Sequence, residues 1–269
     1  DTQIRDEKGE AKDFDGLWVS GLTESAARGL PDIELQGLLS RVHEIQEIVG
    51  VSHKPILVDG DTGGTIDQLQ YYIRSMEALG VSALIIEDKV FPKNNSLDFN
   101  KPQVLEAPEI FARKIAAGKK AQKSPDFMLI ARIEALVAGK EMGDALLRAE
   151  AYIQAGADAI VIHSRMKKPD EVLVFAKAYR EICKKVGRNV PLVSIPTLYN
   201  SITEEELYSA GFNIVIHANF LLRSACLAMQ KTAQSILSHS RSLEVEPACV
   251  SLPSLFETIE NTRNDGSKA

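Results

Sequence analysis

Short apolar runs alternate with longer segments whose apolar residues recur every three or four positions, almost to the C-terminus. The short runs, at 17–20, 56–59, 83–87, 127–132, 159–163, 192–195 and 213–217, predict β-strands. The longer segments, at 33–49, 65–79, 107–122, 140–155, 169–185 and 203–210, predict amphipathic helices, and 220–238 and 252–261 predict two more after the last strand. Gly80, Gly156 and Gly211 each stand just past a predicted helix and just before a strand, where a left-handed cap is wanted. Regular β/α alternation implies parallel strands joined by helical crossovers. Seven predicted strands are one short of a (β/α)8 barrel, and the polar segment 1–15 makes a poor strand. The expected fold is therefore α/β, a TIM-type (β/α)8 barrel with C-terminal helices and its first strand missing from this chain or irregular. An open α/β sheet is the alternative. The organisation expected is a polar N-terminal segment (1–15), a barrel domain (16–261) and a flexible tail (262–269).

Composition narrows the partners. The chain has 269 residues, enough for one large domain, with 45% hydrophobic and 25% charged residues. A net charge of −6 argues against nucleic acid or an anionic membrane as partner. No apolar run approaches the roughly 20 residues that span a bilayer, and the opening residues are polar rather than those of a secretory leader. The first residue is not Met, which suggests a processed or truncated chain. Cys183, Cys226 and Cys249 are widely spaced without a CxxC pair, so buried thiols and a cytoplasmic location are expected. Asn94-Asn95-Ser96 matches a glycosylation sequon only by letter. The dinucleotide-binding G-x-G-x-x-G pattern is absent.

In a parallel barrel, chemistry gathers at the C-terminal ends of the strands. There the sequence places Trp18 to Leu22, Asp59 and Asp61, Glu87, Arg132 with Glu134, His163-Ser164, Pro196-Thr197, and His217 with Asn219. Asp59, Asp61 and Glu87 are hard oxygen donors without a companion thiolate or imidazole cluster, which suits Mg2+ or Mn2+ rather than zinc. Asp61 also reads as a cap for the helix at 65–79. Arg132 ends an apolar strand, where a guanidinium either pairs with carboxylates or grips an anion. Ser20-Gly21-Leu22 follows the Trp18 strand, and its glycine lets backbone amides approach a carboxylate or phosphoryl oxygen. His43 and His53 read as surface residues. Residues 89–106 form a long polar stretch between a strand and a helix, the form of a lid. It offers Lys93, Asn95 and Ser96 as anion donors, with Phe91 and Leu97 as apolar residues to seat it.

Trp18 to Leu22, Asp32, Asp59-Gly60-Asp61-Thr62-Gly63, Glu87-Asp88-Lys89, Pro92 to Leu97, Arg132 and His163-Ser164 together resemble the phosphoenolpyruvate mutase branch of the isocitrate lyase superfamily. The resemblance implies a (β/α)8 barrel, a homotetramer in which a C-terminal helix is exchanged between neighbours, and Mg2+ held by Asp59, with Asp61 and Glu87 acting through water. It implies catalytic roles for Asp32, Lys93, Asn95, Arg132 and His163, and substrate contacts from Trp18, Ser20, Gly21, Leu22, Ser96 and Leu97. The substrate pair it implies is phosphoenolpyruvate and phosphonopyruvate. Lyases of the superfamily carry a Lys-Lys/Arg-Cys-Gly-His type motif in the lid, whereas this chain has no cysteine before Cys183. Mutases carry asparagine where phosphonopyruvate hydrolases tend to have threonine, so Asn95 favours the mutase. The hydrolase, a metal-dependent 2-oxoacid lyase or decarboxylase, and a non-catalytic ligand-binding or assembly module are the competing readings.

Overall fold

The computed structural model describes residues 4–5, 7–36 and 38–265. β1 (Ile4–Arg5) and β2 (Ala11–Lys12) pair antiparallel in a small exposed hairpin, so the polar segment expected to lack strands contributes two short ones. Residues 1–3 and 6 of that segment and 266–269 of the expected tail lie outside the described residues.

The main sheet runs β3 (Leu17–Val19), β4 (Ile56–Asp59), β5 (Ala83–Glu87), β6 (Met128–Ile133), β7 (Ala159–Ile162), β8 (Leu192–Ser194) and β9 (Ile214–Val215). Every neighbour is the next strand in sequence and every pairing is parallel. Helices α1 (Gly21–Ala27) and α2 (Leu38–Val49) follow β3. Helices α3 (Ile66–Leu79), α4 (Pro108–Ala121), α5 (Met142–Gln154), α6 (Asp170–Val186) and α7 (Glu204–Ala210) connect the later strands, and α8 (Phe220–His239) and α9 (Leu252–Asp265) close the chain.

Alternation along each strand divides the core in two. Leu84 and Ile86 pack outward among the helices with Leu69, Phe111 and Tyr152. Ile85 points the other way, into a cluster with Ile130, Val161, Val193 and Ile216 that also takes in Trp18 from β3 and Ile214 from β9. Residues of the first and last strands thus share one inner cluster, so the sheet curls as a barrel wall does. Among the described residues β3 and β9 do not pair, and the ring is open between them. The expected α/β barrel architecture holds, with seven strands in the wall.

Three local expectations are corrected. Residues 32–34 form a turn rather than the start of α2, which begins at Leu38. Glu34 takes a left-handed backbone (φ 58°) while its carboxylate is engaged elsewhere. Thr65 caps α3 reciprocally with Gln68, which leaves Asp61 free of that duty. The thiols are not all buried: Cys183 is half-buried, and Cys226 and Cys249 are exposed. Cys226 lies on α8, no residue of which is buried in this single chain.

Candidate active site

The floor of the site is set by strand register. Asp59 ends β4 and Glu87 ends β5, and Glu87 is the direct partner of Arg132 on β6. Between the two aspartates the chain turns tightly against β5, with the Gly60 amide donating to the Ile85 carbonyl at 2.7 Å. A Cβ on Gly60 would stand 2.8 Å from Leu84 Cδ1 and 2.9 Å from that carbonyl oxygen, so only glycine fits the approach. Asp88 braces the next layer: it accepts from Arg148 (3.0 Å), Tyr152 (2.7 Å) and the Glu134 amide (2.9 Å).

Half of the site is a carboxylate group. Asp59 accepts from the Asp61 amide at 3.1 Å and from the Gly21 amide at 3.4 Å. The Lys93 ammonium lies 2.6 Å from Asp61, 3.3 Å from Asp32 and 3.8 Å from Glu87. Arg41, from α2, donates to Asp61 at 2.8 Å and to Glu24 at 3.0 Å, and also to the Asp59 carbonyl. Burial pushes the Asp59 carboxyl up, but Lys93, Arg132 and Arg41 outweigh it and hold Asp59 below its ordinary value. At Glu87 burial wins over Lys89, Lys93 and Arg132, and the carboxyl is raised. For Lys93 burial acts against the charge, yet the surrounding Asp61, Glu87, Asp59 and Asp32 raise it well above the ordinary lysine value.

Among the described residues no three acidic, cysteine or histidine side chains stand ready-made around one metal position. Lys93 already supplies a cation among these carboxylates. The chemistry of the donors nevertheless fits a small hard cation. They are oxygen ligands at strand ends, and both carboxylate oxygens of Glu87 are buried without a hydrogen-bond partner.

The other half is organised by Glu134, which is fully buried. It receives the Arg132 Nε at 2.5 Å and the Ser96 hydroxyl at 2.8 Å, and the Lys89 ammonium is 3.4 Å away. Against the effect of burial, Arg132, Lys89 and His163 hold its carboxyl well below the ordinary range. His163 Nδ1 is 2.9 Å from both Arg132 and Glu134. Arg132 can only donate and ionised Glu134 can only accept, so one Nδ1 proton state satisfies one of them at a time. Burial, helped by Arg132, lowers the His163 pKa despite Glu134 and favours the neutral ring.

The lid closes on both halves. Its neck is an antiparallel bridge between Lys89 and Leu105, with Val90 donating to the Val104 carbonyl at 3.0 Å. Asn95 donates to Asp32 at 2.5 Å, and the Lys93 amide donates to Glu34 at 3.3 Å. Ser96 Oγ accepts from Lys89 (2.5 Å) and Arg132 (2.9 Å) while donating to Glu134. Its hydroxyl is thereby saturated by protein rather than left free to donate to an oxyanion. Leu97 lines the cleft as expected, but Phe91 is 48% exposed and does not seat the lid. The floor beneath is ionic, so the lid buries Lys93 and Ser96 against it and leaves Phe91 outside.

The partly open cleft, about 50 Å3, is lined by Trp18, Ser20, Leu22, Asp32, Asp59, Lys93, Asn95, Ser96, Leu97, Arg132 and His163, all given site roles from the sequence, together with Ile195, Thr197, Ala218 and Asn219. Gly21, Asp61 and Glu87 sit behind that lining in contact with Asp59 or Lys93. Ser20 also accepts from the Thr23 amide as the cap of α1, at 3.4 Å. The sequence reading reached Lys89, Glu134, Thr197 and Asn219 as motif or strand-end residues without giving them a role in the site, and it did not single out Arg41 at all. Glu134 carried a signal, since it stands two residues after Arg132 and so on the same face of β6 extended. Arg41 carried none, being an ordinary position on an amphipathic helix.

A family profile described as phosphoenolpyruvate phosphomutase matches residues 4–237. The phosphonopyruvate hydrolase of Variovorax sp. (strain Pal2) is 38% identical over 253 residues, 93% of this chain and 84% of that one. The crystal structure of phosphoenolpyruvate phosphomutase from Streptomyces platensis subsp. rosaceus superposes with a TM-score of 0.86 at 37% identity, covering 95% of this chain and 88% of that chain. A phosphonopyruvate hydrolase in complex with oxalate and Mg2+ superposes with a TM-score of 0.82 at 35% identity, covering 94% and 85%.

Proposed function

This chain belongs to the phosphoenolpyruvate phosphomutase family, and we propose that within it the chain is the mutase, interconverting phosphoenolpyruvate and phosphonopyruvate. The observation that carries this reading is Asn95, whose amide reaches across the cleft to Asp32. The relatives named above include both activities, and starting from phosphonopyruvate either reaction would begin with cleavage of the C–P bond. They differ in whether the enolate or water then captures the phosphorus, and Asn95 is the residue by which the sequence leans to the enolate.

Mg2+, bound by Asp59 and through water by Asp61 and Glu87, would supply the positive charge that offsets an enolate. Ser20, Gly21 and Leu22, at the start of α1, orient the substrate carboxylate, and Trp18 walls its apolar side. Arg132, His163, Lys93 and Asn95 hold the phosphoryl oxygens, while Ser96 locks the lid onto Arg132 and Glu134. The P–O bond of phosphoenolpyruvate breaks, its electrons staying on the enolate oxygen, and the phosphoryl group passes through a loose, metaphosphate-like state. The methylene carbon then donates its π-electrons to phosphorus, a C–P bond forms, and the enolate becomes the 2-oxo group of phosphonopyruvate. Asp32 positions Asn95 over this path. No proton is transferred, so the work of the residues is positioning, charge compensation and exclusion of water.

Lyase or decarboxylase chemistry is disfavoured because the lid carries no cysteine. The exposed apolar residues of α8, such as Leu221, Met229 and Leu237, suit the subunit contact of a homotetramer. Incubation with phosphonopyruvate and Mg2+ followed by 31P NMR tests the assignment. The expected outcome is a phosphoenolpyruvate resonance; pyruvate with inorganic phosphate alone would assign the hydrolase.

A further inference from the structure

The tip of the lid is held from a second side by a residue outside the cleft lining. Arg165 follows His163 and Ser164 in the segment that leaves β7. Its Nε donates to the Ser96 carbonyl at 2.5 Å, its Nη2 donates to the Asp98 carbonyl at 3.0 Å, and the guanidinium lies 4.8 Å from the centre of the Phe99 ring. Ser96 is therefore gripped twice, by its hydroxyl from Lys89, Arg132 and Glu134 and by its carbonyl from Arg165. Phe99 is 64% exposed, so its ring is not held by a core and has this guanidinium as a packing surface. Two parallel donors and a flat cationic face are features of arginine that lysine does not reproduce.

We propose that Arg165 is the latch of the lid, a positioning residue that holds Asn95 and Ser96 down during the phosphoryl transfer. The inference rests on the mutase reading for its chemical consequence but not for its structural one. A charge-assisted bond to a carbonyl is strong while closed and is exchanged for water at modest net cost on opening. A latch of that kind lets product leave, whereas a buried apolar plug would not. With the latch engaged, the metaphosphate-like group meets the enolate carbon; with it released, water enters and the products become pyruvate and phosphate.

The test compares the full-length wild type with Arg165→Met, Arg165→Lys and Phe99→Ala. Amide hydrogen exchange of the segment 94–102, read by mass spectrometry with Mg2+ and oxalate present, measures closure directly. Arg165→Met is expected to raise exchange there about tenfold, with Arg165→Lys and Phe99→Ala each giving a smaller rise of about threefold. Exchange in β6 should be unchanged, which separates a latch from a folding defect. In parallel, 31P NMR should show the share of phosphonopyruvate converted to pyruvate and phosphate rising in the same order. Wild-type exchange over 94–102 in both Arg165→Met and Phe99→Ala would overturn the latch. If the wild type itself releases only pyruvate and phosphate, the mutase reading fails, and the exchange measurement still decides for or against the latch.

Discussion

Glu87 and Ser96 meet in one hydrogen-bonded and ionic cluster, yet they are brought there differently. Glu87 is carried by β5, paired on both sides, with its backbone amide bonded to the Asp61 carbonyl at 2.7 Å. Ser96 lies beyond a neck formed by a single bridge, and its place depends on side chains from the segment after β5, from β6 and from the segment after β7. Floor residues are thus fixed by backbone ladders and an apolar layer on each face of the sheet. The lid is fixed by polar and ionic contacts, while Phe91, Phe99 and Val104 stay exposed. Ladders of this kind open only with the global fold, whereas polar docking can be undone locally. A floor that must hold charge in register and a lid that must open each turnover call for these two kinds of bonding.

The largest way to break the contrast is at the floor. Asp59→Ala removes a carboxylate that Lys93, Arg132 and Arg41 all face, and turnover should fall by about a thousandfold or more at any lid position. Its Mg2+ dependence should flatten; steady-state rates across a Mg2+ titration check this, and unchanged dependence would remove Asp59 from the metal proposal.

A smaller effect is expected at the lid. Asn95→Ala leaves the floor intact, so cleavage of phosphonopyruvate should persist while rearrangement falls about a hundredfold. Quantifying phosphoenolpyruvate against pyruvate and phosphate reads this out. Full mutase turnover without added hydrolysis would contradict the assigned role of Asn95.

The smallest effect concerns pH at the seam between the two regions. Glu34 accepts from the Thr62 amide at 2.9 Å and from the Lys93 amide of the lid at 3.3 Å. Burial, then the nearby Asp61, push its carboxyl from an ordinary 4.5 up to about 7 despite those bonds. A carboxyl raised in the folded state holds its proton more tightly there, so its stabilising contribution is complete below the unfolded value and lost as pH rises through the folded one. Wild-type thermal stability should therefore drop more between about pH 5 and about pH 8 than that of Glu34→Gln, by a few degrees at most. Parallel melting curves would refute this attribution.

Much of the floor was legible in the chain. The runs 56–59 and 83–87 coincide with β4 and β5, because a short apolar run ending in a carboxylate marks both the strand and the place where it leaves the core. Local spacing likewise gave the helices between strands, and with them the parallel order of the sheet. What the sequence could not disclose were contacts between side chains distant along it. Arg41 reaching Asp61, Ser96 saturated by Lys89, Arg132 and Glu134, and Arg165 holding the Ser96 carbonyl all have partners that differ in sequence separation and share no local signal. Phe91 was misread for the same reason: an apolar residue in a loop suggests a seat, but the surface it would sit on turned out to be ionic. Hydrophobic periodicity depends on each residue's near neighbours and so is written along the chain. The pairing of buried charges depends on which elements the fold brings face to face, and only the tertiary structure decides that.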